Sequence, residues 1–318
     1  MLEVYFTIDV EVWCGGWDQL DARFPAAFDR YVYGPKRQGG LPAQLQVLSD
    51  HGLKSVCFVE PLFAGRFGLA PLREIVGLIQ KEGHEVQLHL HTEWVDESKL
   101  PMLPDAPTEK RQHLRHFDRH EQVQLIGLGA RWLEQAGAPY PNAFRAGNFA
   151  MNVDTLAALA TVGIAVDSSY NACMGGLQSG VAPGEVLNQP RQIGAVIELP
   201  MTVFMDGRGL RHTQLTACSS RELEVLLWQA LEKGYGQVVL LSHNFELLTP
   251  AMDRVDRIVM GRLQRLCALL DRNRDVFNVR GLSTPVSGNR AAELEPLRSP
   301  LWRTGLRMAE QAWRKIAT

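Results

Sequence analysis

The feature that most constrains this chain is the regular alternation of short apolar runs with longer stretches of helical spacing. The short runs, rich in β-branched and aromatic residues, predict strands at residues 3–9, 55–60, 85–91, 143–145, 164–167, 195–199, 237–243 and 276–280. The longer stretches predict helices at residues 42–50, 71–81, 121–135, 153–161, 220–233 and 252–270. Because a helix between two strands lets them lie side by side in parallel, the alternation predicts an α/β architecture with a mainly parallel sheet.

The size of the chain favours one barrel-sized domain over two. It has 318 residues, of which 46% are hydrophobic and 21% charged, so it can bury a substantial core. No Pro/Ser-rich linker or repeated motif divides the sequence. We therefore expect one domain over residues 1–287, followed by a helical appendage over residues 288–318.

Charge and hydropathy exclude two classes of protein. The formal net charge of −2 gives no overall positive field toward a phosphate backbone, so nucleic acid is not an expected partner. No apolar run reaches the roughly 18 to 20 residues that span a bilayer. The first residues enter a strand-like run without the features of a secretion signal, and we expect a cytoplasmic location. The scattered cysteines, without a C-x-x-C pair, are expected as reduced thiols: Cys14, Cys57, Cys173, Cys218 and Cys267.

Paired acids and paired histidines follow two of the predicted strands. Asp9 and Glu11 end the first strand, and His89 and His91 end the third. Alternate residues of an extended chain point to one side, so each pair presents both side chains on the same face. Two histidines with one carboxylate can bind zinc or a similar divalent ion and leave a position open for water. Either pair alone can equally be a solvated or hydrogen-bonded strand end.

Two further polar residues end predicted strands. Arg145 is followed by Gly147, where backbone or ligand can approach closely, and an arginine there can hold a carboxylate ionised and in place. His243 ends the most apolar strand and is a candidate general acid or base. Taken singly, each is more often structural. Because the carboxyl ends of parallel strands converge, the four strand ends together predict one active site.

These residues occur in an order that resembles a known family. The polysaccharide deacetylases, or NodB-homology domains, have motifs similar to four segments of this chain: Thr7-Ile-Asp9-Val-Glu11, Gly83-His-Glu-Val-Gln-Leu-His89-Leu-His91, Phe144-Arg145-Ala-Gly147 and Leu241-Ser-His243. The resemblance covers most of the first 285 residues. It implies an irregular (β/α) barrel, usually of seven strands, that removes acetyl or related acyl groups from amide-linked sugars with one divalent metal ion.

The resemblance also implies catalytic roles. Asp9 resembles the catalytic base, held in place by Arg145, and His243 would protonate the departing amine. The family usually has an acid that orients this histidine. The nearest candidate here is Asp167, with Asp206 behind it.

The metal site is where this chain departs from the family pattern. Glu11 and His89 match metal ligands, although the family more often has Asp at the first of these positions. The common H-x-x-x-H motif would place the second histidine at Glu93, whereas His91 lies two residues earlier. We favour His91, because a second carboxylate would neutralise the ion and weaken its acidity. The expected cofactor is one divalent ion, with zinc favoured, and complete loss of the metal is the alternative.

Residues close to the metal motifs are candidates for substrate binding. Trp13, Trp17 and Trp94 could stack on a sugar face, although packing under the barrel mouth is an equal alternative for each. Gly147 would let a ligand approach the backbone. The expected substrate is a sugar or glycan, and a cytoplasmic enzyme would act on a precursor of a surface polysaccharide.

Two rival functions remain open at this point. A His-x-His pair at a strand end also begins the metal site of amidohydrolase barrels, which act on cyclic amides, although the later ligands of that site are not recognisable here. The altered second motif also suits an inactive barrel that binds a glycan or partner. Two metal ions per chain would favour the amidohydrolase, and none would favour the binding protein.

The C-terminal residues predict an amphipathic helix. Its apolar residues are Trp302, Leu306, Ala309, Trp313 and Ile316, and its basic residues are Arg303, Arg307, Arg314 and Lys315. Such a helix can pack on the barrel, or it can lie on an anionic membrane with its aromatic residues at headgroup depth. We expect weak membrane or partner attachment here, separate from the active site.

Overall fold

The computed structural model describes residues 1–104, 110–287 and 294–317, with the side chains of residues 312, 313 and 315–317 outside the description. The described strands are β1 Leu2–Val10, β2 Ser55–Val59, β3 Glu85–Leu90, β4 Ala143–Ala146, β5 Val166–Asp167, β6 Arg191–Ile193, β7 Val196–Glu198, β8 Val203–Asp206, β9 Gly209–His212, β10 Gln237–His243, β11 Phe277–Val279 and β12 Leu297–Arg298. The described α-helices are α1 Leu20–Phe28, α2 Leu41–Asp50, α3 Ala64–Phe67, α4 Leu69–Lys81, α5 Arg119–Gln135, α6 Val153–Val162, α7 Ser220–Glu232, α8 Arg257–Arg272 and α9 Leu301–Ala317.

The main sheet is curled and mostly parallel. Seven strands run parallel in the order β10, β1, β2, β3, β4, β5 and β7, with β6 antiparallel at the far edge and β11 beside the first residues of β1. On the other side of β10, the backbone N–H of Leu241 donates to the backbone oxygen of Thr213 at 3.0 Å, and its oxygen accepts from the N–H of Leu215 at 2.9 Å, which joins the segment after β9 to this strand. The predicted α/β class and the irregular barrel of about seven parallel strands are confirmed.

Strand β1 lies between β10 and β2, and both of its faces are covered. All of its residues except Glu3 are buried, as expected for a parallel strand between two layers. The helices cover the sheet with one apolar stripe each. In α4 that stripe consists of Leu72, Ile75, Val76 and Ile79, which follow the 3.6-residue period of the helix. The same period in the sequence is what predicted this helix.

One helix begins later than its sequence period predicts. The periodic stretch starts at residue 252, but α8 begins at Arg257. Asp256 is the reason, because its side chain accepts from the backbone N–H groups of Ile258 and Val259 at 3.0 and 3.1 Å. These bonds satisfy donors that have no partner within the helix and so fix its first turn.

A second, three-stranded sheet joins the C-terminal residues to the barrel. β8 and β9 form an antiparallel hairpin that the sequence analysis did not predict, and β12 lies parallel to β8. Helix α9 follows β12, so the predicted C-terminal helix is present. The side chains of Trp313, Lys315 and Ile316 lie outside the described residues, as does Gly288, where the predicted appendage begins. No helix in the described part of the chain is both long and apolar enough to cross a membrane.

Candidate metal and acid–base site

The carboxyl ends of β1, β3, β4 and β10 bring the predicted strand-end residues together. The strand register places Asp9 beside His243 and His89 beside Arg145. Parallel strands end at the same edge of a sheet, and these side chains therefore converge on one mouth of the barrel. The residues that meet there are Asp9, Glu11, His89, His91, Arg145 and His243.

Glu11, His89 and His91 form a compact cluster of potential metal ligands. Oε1 of Glu11 lies 3.1 Å from Nε2 of His89 and 2.9 Å from Nε2 of His91. One donor atom from each of the three residues lies within 4.8 Å of the others. Burial opposes ionisation of Glu11, but the two histidines hold the pKa of its carboxyl well below the ordinary value. A carboxylate facing two imidazole nitrogens is a donor set that zinc accepts, so these residues fit the predicted ion.

The outer nitrogens of both imidazoles are hydrogen-bonded, which directs the inner nitrogens toward the cluster. Nδ1 of His89 donates to the backbone oxygen of Arg145 at 2.7 Å, because a carbonyl oxygen can only accept. Nδ1 of His91 lies 3.3 Å from Oε2 of Glu93. Glu93, the alternative ligand, therefore contacts the outer side of His91. The group of potential metal ligands contains His91 and not Glu93. Outer hydrogen bonds of this kind orient the histidines of metal sites.

Glu11 lies one residue beyond the end of β1 and is held by side chains. The side chain of Asn244 satisfies the backbone of Glu11 as a neighbouring strand would. It accepts from the backbone N–H of Glu11 at 3.0 Å and donates to the backbone oxygen of Glu11 at 3.1 Å. The indole N–H of Trp13 donates to Oε2 of Glu11 at 2.7 Å. These bonds leave Oε1 to the two histidines. The sequence analysis identified Glu11 but not Asn244, which directly follows His243.

Asp9 forms a buried ion pair with Arg145. Nη1 of Arg145 donates to Oδ1 of Asp9 at 2.6 Å and to the hydroxyl of Thr7 at 2.9 Å, and Nε donates to the backbone oxygen of Ser168 at 3.1 Å. The guanidinium is fully buried, so these bonds fix its position. Oδ2 of Asp9 lies 4.0 Å from Nε2 of His89, beside the ligand cluster. The arrangement places Asp9, paired with Arg145, next to the predicted metal.

The carboxylate that orients His243 is Glu246, three residues later in the chain. Oε1 of Glu246 lies 2.8 Å from Nδ1 of His243, and Gln214 donates to the same oxygen at 2.5 Å. Burial favours the neutral imidazole, but the Glu246 carboxylate outweighs burial and raises the pKa of His243 to about 9. The raised pKa favours the protonated imidazole of His243 at neutral pH. A protonated imidazole at the mouth of the barrel can act as a general acid.

The prediction that Asp167 or Asp206 orients the catalytic histidine is therefore wrong. Asp167 is fully buried and lies opposite Glu198 in the register of β5 and β7. Asp206 pairs with Arg307 of α9 at 2.6 Å. The sequence analysis searched for acids at other strand ends, whereas the partner lies in the turn after β10. The three-residue spacing from His243 was the available indication.

The cleft above the ligand cluster has a volume of about 590 Å³. Trp13 and Trp17 are half-buried and line it, so they are available to a ligand. Trp94 is 1% exposed and stacks beneath Trp13, with the ring centroids 6.1 Å apart. Trp94 therefore belongs to the core, and its predicted contact with substrate is wrong. The sequence analysis gave packing under the barrel mouth as the alternative for each tryptophan, and Trp94 packs in this way.

Gly147 makes room for His91 instead of for a ligand. A Cβ atom at this position would lie 2.7 Å from Nδ1 of His91 and 2.7 Å from the backbone oxygen of Leu90. The lining of the cleft includes Ala146 and Asn148 but not Gly147. A group does approach the backbone at Gly147 as predicted, but that group is the imidazole of His91, a candidate metal ligand, and not a bound substrate. The assignment of Gly147 to substrate binding is corrected accordingly.

Comparison with known proteins finds similarity in structure alone. No family model and no curated protein sequence matches the chain. A protein described as a polysaccharide deacetylase of Mycobacterium smegmatis has a similar structure, with a TM-score of 0.55 and 21% identity over 92% of this chain and 95% of that one. A family 4 carbohydrate esterase of Streptomyces lividans gives a TM-score of 0.46 and 14% identity over 93% of this chain and 98% of that one.

A third similar structure comes from a different kind of enzyme. The 4-alpha-glucanotransferase of Thermococcus litoralis gives a TM-score of 0.52 and 13% identity over 94% of this chain and 42% of that one. One fold can carry different reactions, so the reaction must be argued from the site. The structural likeness to the Mycobacterium smegmatis protein, together with the four strand-end motifs, shows that this chain has the NodB-like fold of the polysaccharide deacetylases.

Proposed function

We propose that this protein is a metal-dependent hydrolase that removes an acyl group, in the first instance N-acetyl, from an amino sugar. The observation that carries the proposal is the meeting of three units at one cleft. These are the ligand cluster around Glu11, the ion pair of Asp9 with Arg145, and the protonated His243 with its Glu246 partner. Hydrolysis of an amide needs an activated carbonyl, a base for water and an acid for the amine, and each unit supplies one of them.

The ligand cluster would hold one divalent ion, for which zinc suits the donors. Glu11, His89 and His91 would bind it, leaving part of its coordination sphere for water or substrate. Such an ion acts as a Lewis acid toward the acyl carbonyl and toward water. With three ligands of total charge −1, the site keeps a net positive charge that stabilises negative charge on the carbonyl oxygen.

Asp9 and His243 would divide the proton transfers. Asp9 accepts the proton of the attacking water, and its hydrogen bond with Arg145 orients it for this step. His243 then donates its proton to the sugar nitrogen as the carbon–nitrogen bond breaks. Donation matters because an unprotonated amine is a very poor leaving group. The raised pKa of His243, about 9, keeps this proton in place at neutral pH.

The cleft supports a sugar as substrate. Its volume of about 590 Å³ accommodates one or more sugar rings, and the half-buried rings of Trp13 and Trp17 offer apolar faces at its wall. The similar structure described as a polysaccharide deacetylase supports the same substrate class. We propose a soluble or lipid-linked precursor of a surface polysaccharide as the physiological substrate.

Amine release and metal content test this proposal together. N-acetylated nucleotide sugars and lipid-linked intermediates are incubated with the zinc-loaded protein, and free amine is measured against Asp9→Asn, which retains the ligand cluster. Amine release by the wild type alone, with one ion per chain, supports the deacetylase. A metal content of two ions would favour an amidohydrolase, and a metal-free protein that binds glycan without releasing amine would favour the binding protein.

A further inference from the structure

Helix α9 packs on the barrel through its polar side. Arg307 is 1% exposed and bonds Glu222 of α7 at 2.8 Å and Asp206 of β8 at 2.6 Å. Thr304, one turn earlier, is also buried, and Glu310, one turn later, pairs with the buried Arg262 of α8 at 3.1 Å. Buried positions at this spacing define the side of the helix that faces the barrel. Among the described side chains of α9, the buried ones are therefore polar, and ion pairs join the helix to the barrel.

Four apolar residues of α9 whose side chains the structure describes are exposed to solvent. Leu301, Trp302, Leu306 and Met308 are exposed by 74, 59, 54 and 38%. Exposed large apolar side chains normally occur singly on a protein surface, whereas these four lie within eight residues of one helix. Trp302 and Leu306 lie one helical turn apart, and together they expose apolar surface of the kind that marks interaction sites.

Arginines line a cleft on one flank of α9, beside Trp302 and Leu306. A cleft of about 580 Å³ between α7, α8 and α9 is lined by Trp302 and Leu306, and its arginines are Arg221, Arg265, Arg272 and Arg303. The first three of these arginines are exposed. The cleft also contains Glu224 and Glu310, and the second of these is paired with the buried arginine of α8. The cleft therefore carries a net positive charge beside an exposed indole.

We infer that this face, formed by α9 and the arginine cleft, docks on an anionic lipid bilayer. Trp302 and Leu306 enter the headgroup region, where indole rings with one apolar and one polar side are favoured, and the arginines contact lipid phosphates. A second copy of the chain fits this surface poorly. A two-fold symmetric contact would place the arginines of one copy against those of the other. A bilayer with negative headgroups complements both the charge and the apolar residues.

Binding to vesicles of defined composition tests the inference. Full-length protein is sedimented with phosphatidylcholine vesicles and with vesicles that contain about 30% phosphatidylglycerol, which sets the negative surface potential. We expect binding to the second kind only, weakened at least tenfold by Trp302→Ser with Leu306→Ser. Arg221→Gln with Arg272→Gln should weaken it about tenfold, and high salt should act in the same direction.

Matched controls separate docking from folding. Leu100, 70% exposed in another part of the chain, provides Leu100→Ser, which should bind vesicles like the wild type. The α9 double variant should keep the wild-type melting temperature, because both side chains are exposed and the ion pairs of Arg307 remain. Three outcomes would overturn the inference: no vesicle binding, equal binding to both kinds of vesicle, or a dimer that the α9 variant dissociates without any vesicle binding by the wild type.

Discussion

Two pairs of buried acids lie in the same barrel and differ in what faces them. Asp9 bonds the Arg145 guanidinium, and Glu11 faces two histidines that hold its carboxyl pKa well below the ordinary value. Asp167 and Glu198 instead face one another across β5 and β7. Burial raises the pKa of Asp167 to about 6, and burial together with the Asp167 charge raises the pKa of Glu198 well above its ordinary value. The first pair faces positive or imidazole groups, whereas the raised pKa values of the second pair favour a proton held between its two carboxyl groups.

The difference shows that burial alone does not set the charge of an acid in this barrel. All four carboxyl groups are nearly inaccessible to water. Asp9 and Glu11 face cationic or imidazole groups and can accept a proton or bind an ion. Asp167 and Glu198 face one another, an arrangement suited to holding a proton within the sheet. The catalytic proposal depends on this distinction between the two pairs of acids. Four experiments test the proposed site and the contrast with the Asp167–Glu198 pair.

The largest effect is expected from Asp9→Asn. Asparagine fills the same volume but cannot accept a proton, so turnover should fall by roughly 10²- to 10⁴-fold. One metal ion per chain should remain, because the proposed ligands Glu11, His89 and His91 are unchanged. Steady-state amine release and metal analysis measure both. Asp167→Asn is the matched control and should change turnover only several-fold; an equal loss in both variants would remove the distinction between the pairs.

Glu93→Gln should weaken metal binding without abolishing it. Glu93 contacts the outer nitrogen of His91, and loss of such a contact typically costs about 10- to 100-fold in metal affinity. Competition with a chromophoric chelator measures the dissociation constant. Glu11→Gln, which removes a ligand itself, should cost more. If Glu93→Gln were the more damaging of the two, Glu93 would be a ligand and the assignment of His91 would fail.

Glu246→Gln should change the pH dependence of activity. The Glu246 carboxylate raises the pKa of His243, so the protonated acid is present below about pH 9 and is lost above it. Removing the carboxylate lowers that pKa, and the alkaline limb of the turnover profile should move to lower pH. Amine release measured across the pH range gives this limb. An unchanged limb would mean that the histidine is not the acid, and Asp167→Asn should leave the limb in place.

The smallest effect concerns stability and the pair of Asp167 with Glu198. Because both folded pKa values are raised, the folded chain binds more protons than the unfolded chain from about pH 4 through pH 6 and above, so stability falls as pH rises there. Glu198→Gln cannot ionise and should flatten this fall, by an amount on the order of a few degrees in Tm. Thermal unfolding at several pH values measures it. A wild-type Tm that rises steadily over this range would contradict the protonated pair.

The sequence predicts those parts of the site that depend on local order. Asp9, His89 and His243 follow apolar runs directly, and parallel strands bring their ends together whatever the loops do. Glu246 was missed because its contact depends on the path of a turn, which strand periodicity does not describe. Trp94 was misassigned because a tryptophan beside a motif has the same sequence pattern whether it faces the cleft or the core. How deeply Trp94 is buried depends on how the packed layers of the fold meet, which the local sequence does not show.

The C-terminal helix was predicted for a similar reason, while its orientation was not. The spacing of apolar residues in α9 gives the helix and its two sides. The side that faces the barrel is set by Glu222 and Asp206, which are distant in sequence and accept hydrogen bonds from Arg307. Periodicity alone assigns the apolar side to the nearest core. In this protein the ion pairs of Arg307 with Glu222 and Asp206 turn the polar side of α9 toward the barrel.

The pairing of Asp9 with His243 in the ladder between β1 and β10 has a consequence for how the proposed activity could change. The separation of proposed proton acceptor and donor is set by backbone hydrogen bonds, which hold neighbouring strands about 4.8 Å apart. Loops around the mouth can lengthen, shorten or exchange residues without altering that spacing. Substrate preference and chemical step are thus separable in design: new specificities can be sought by diversifying the loops while the two strands stay untouched.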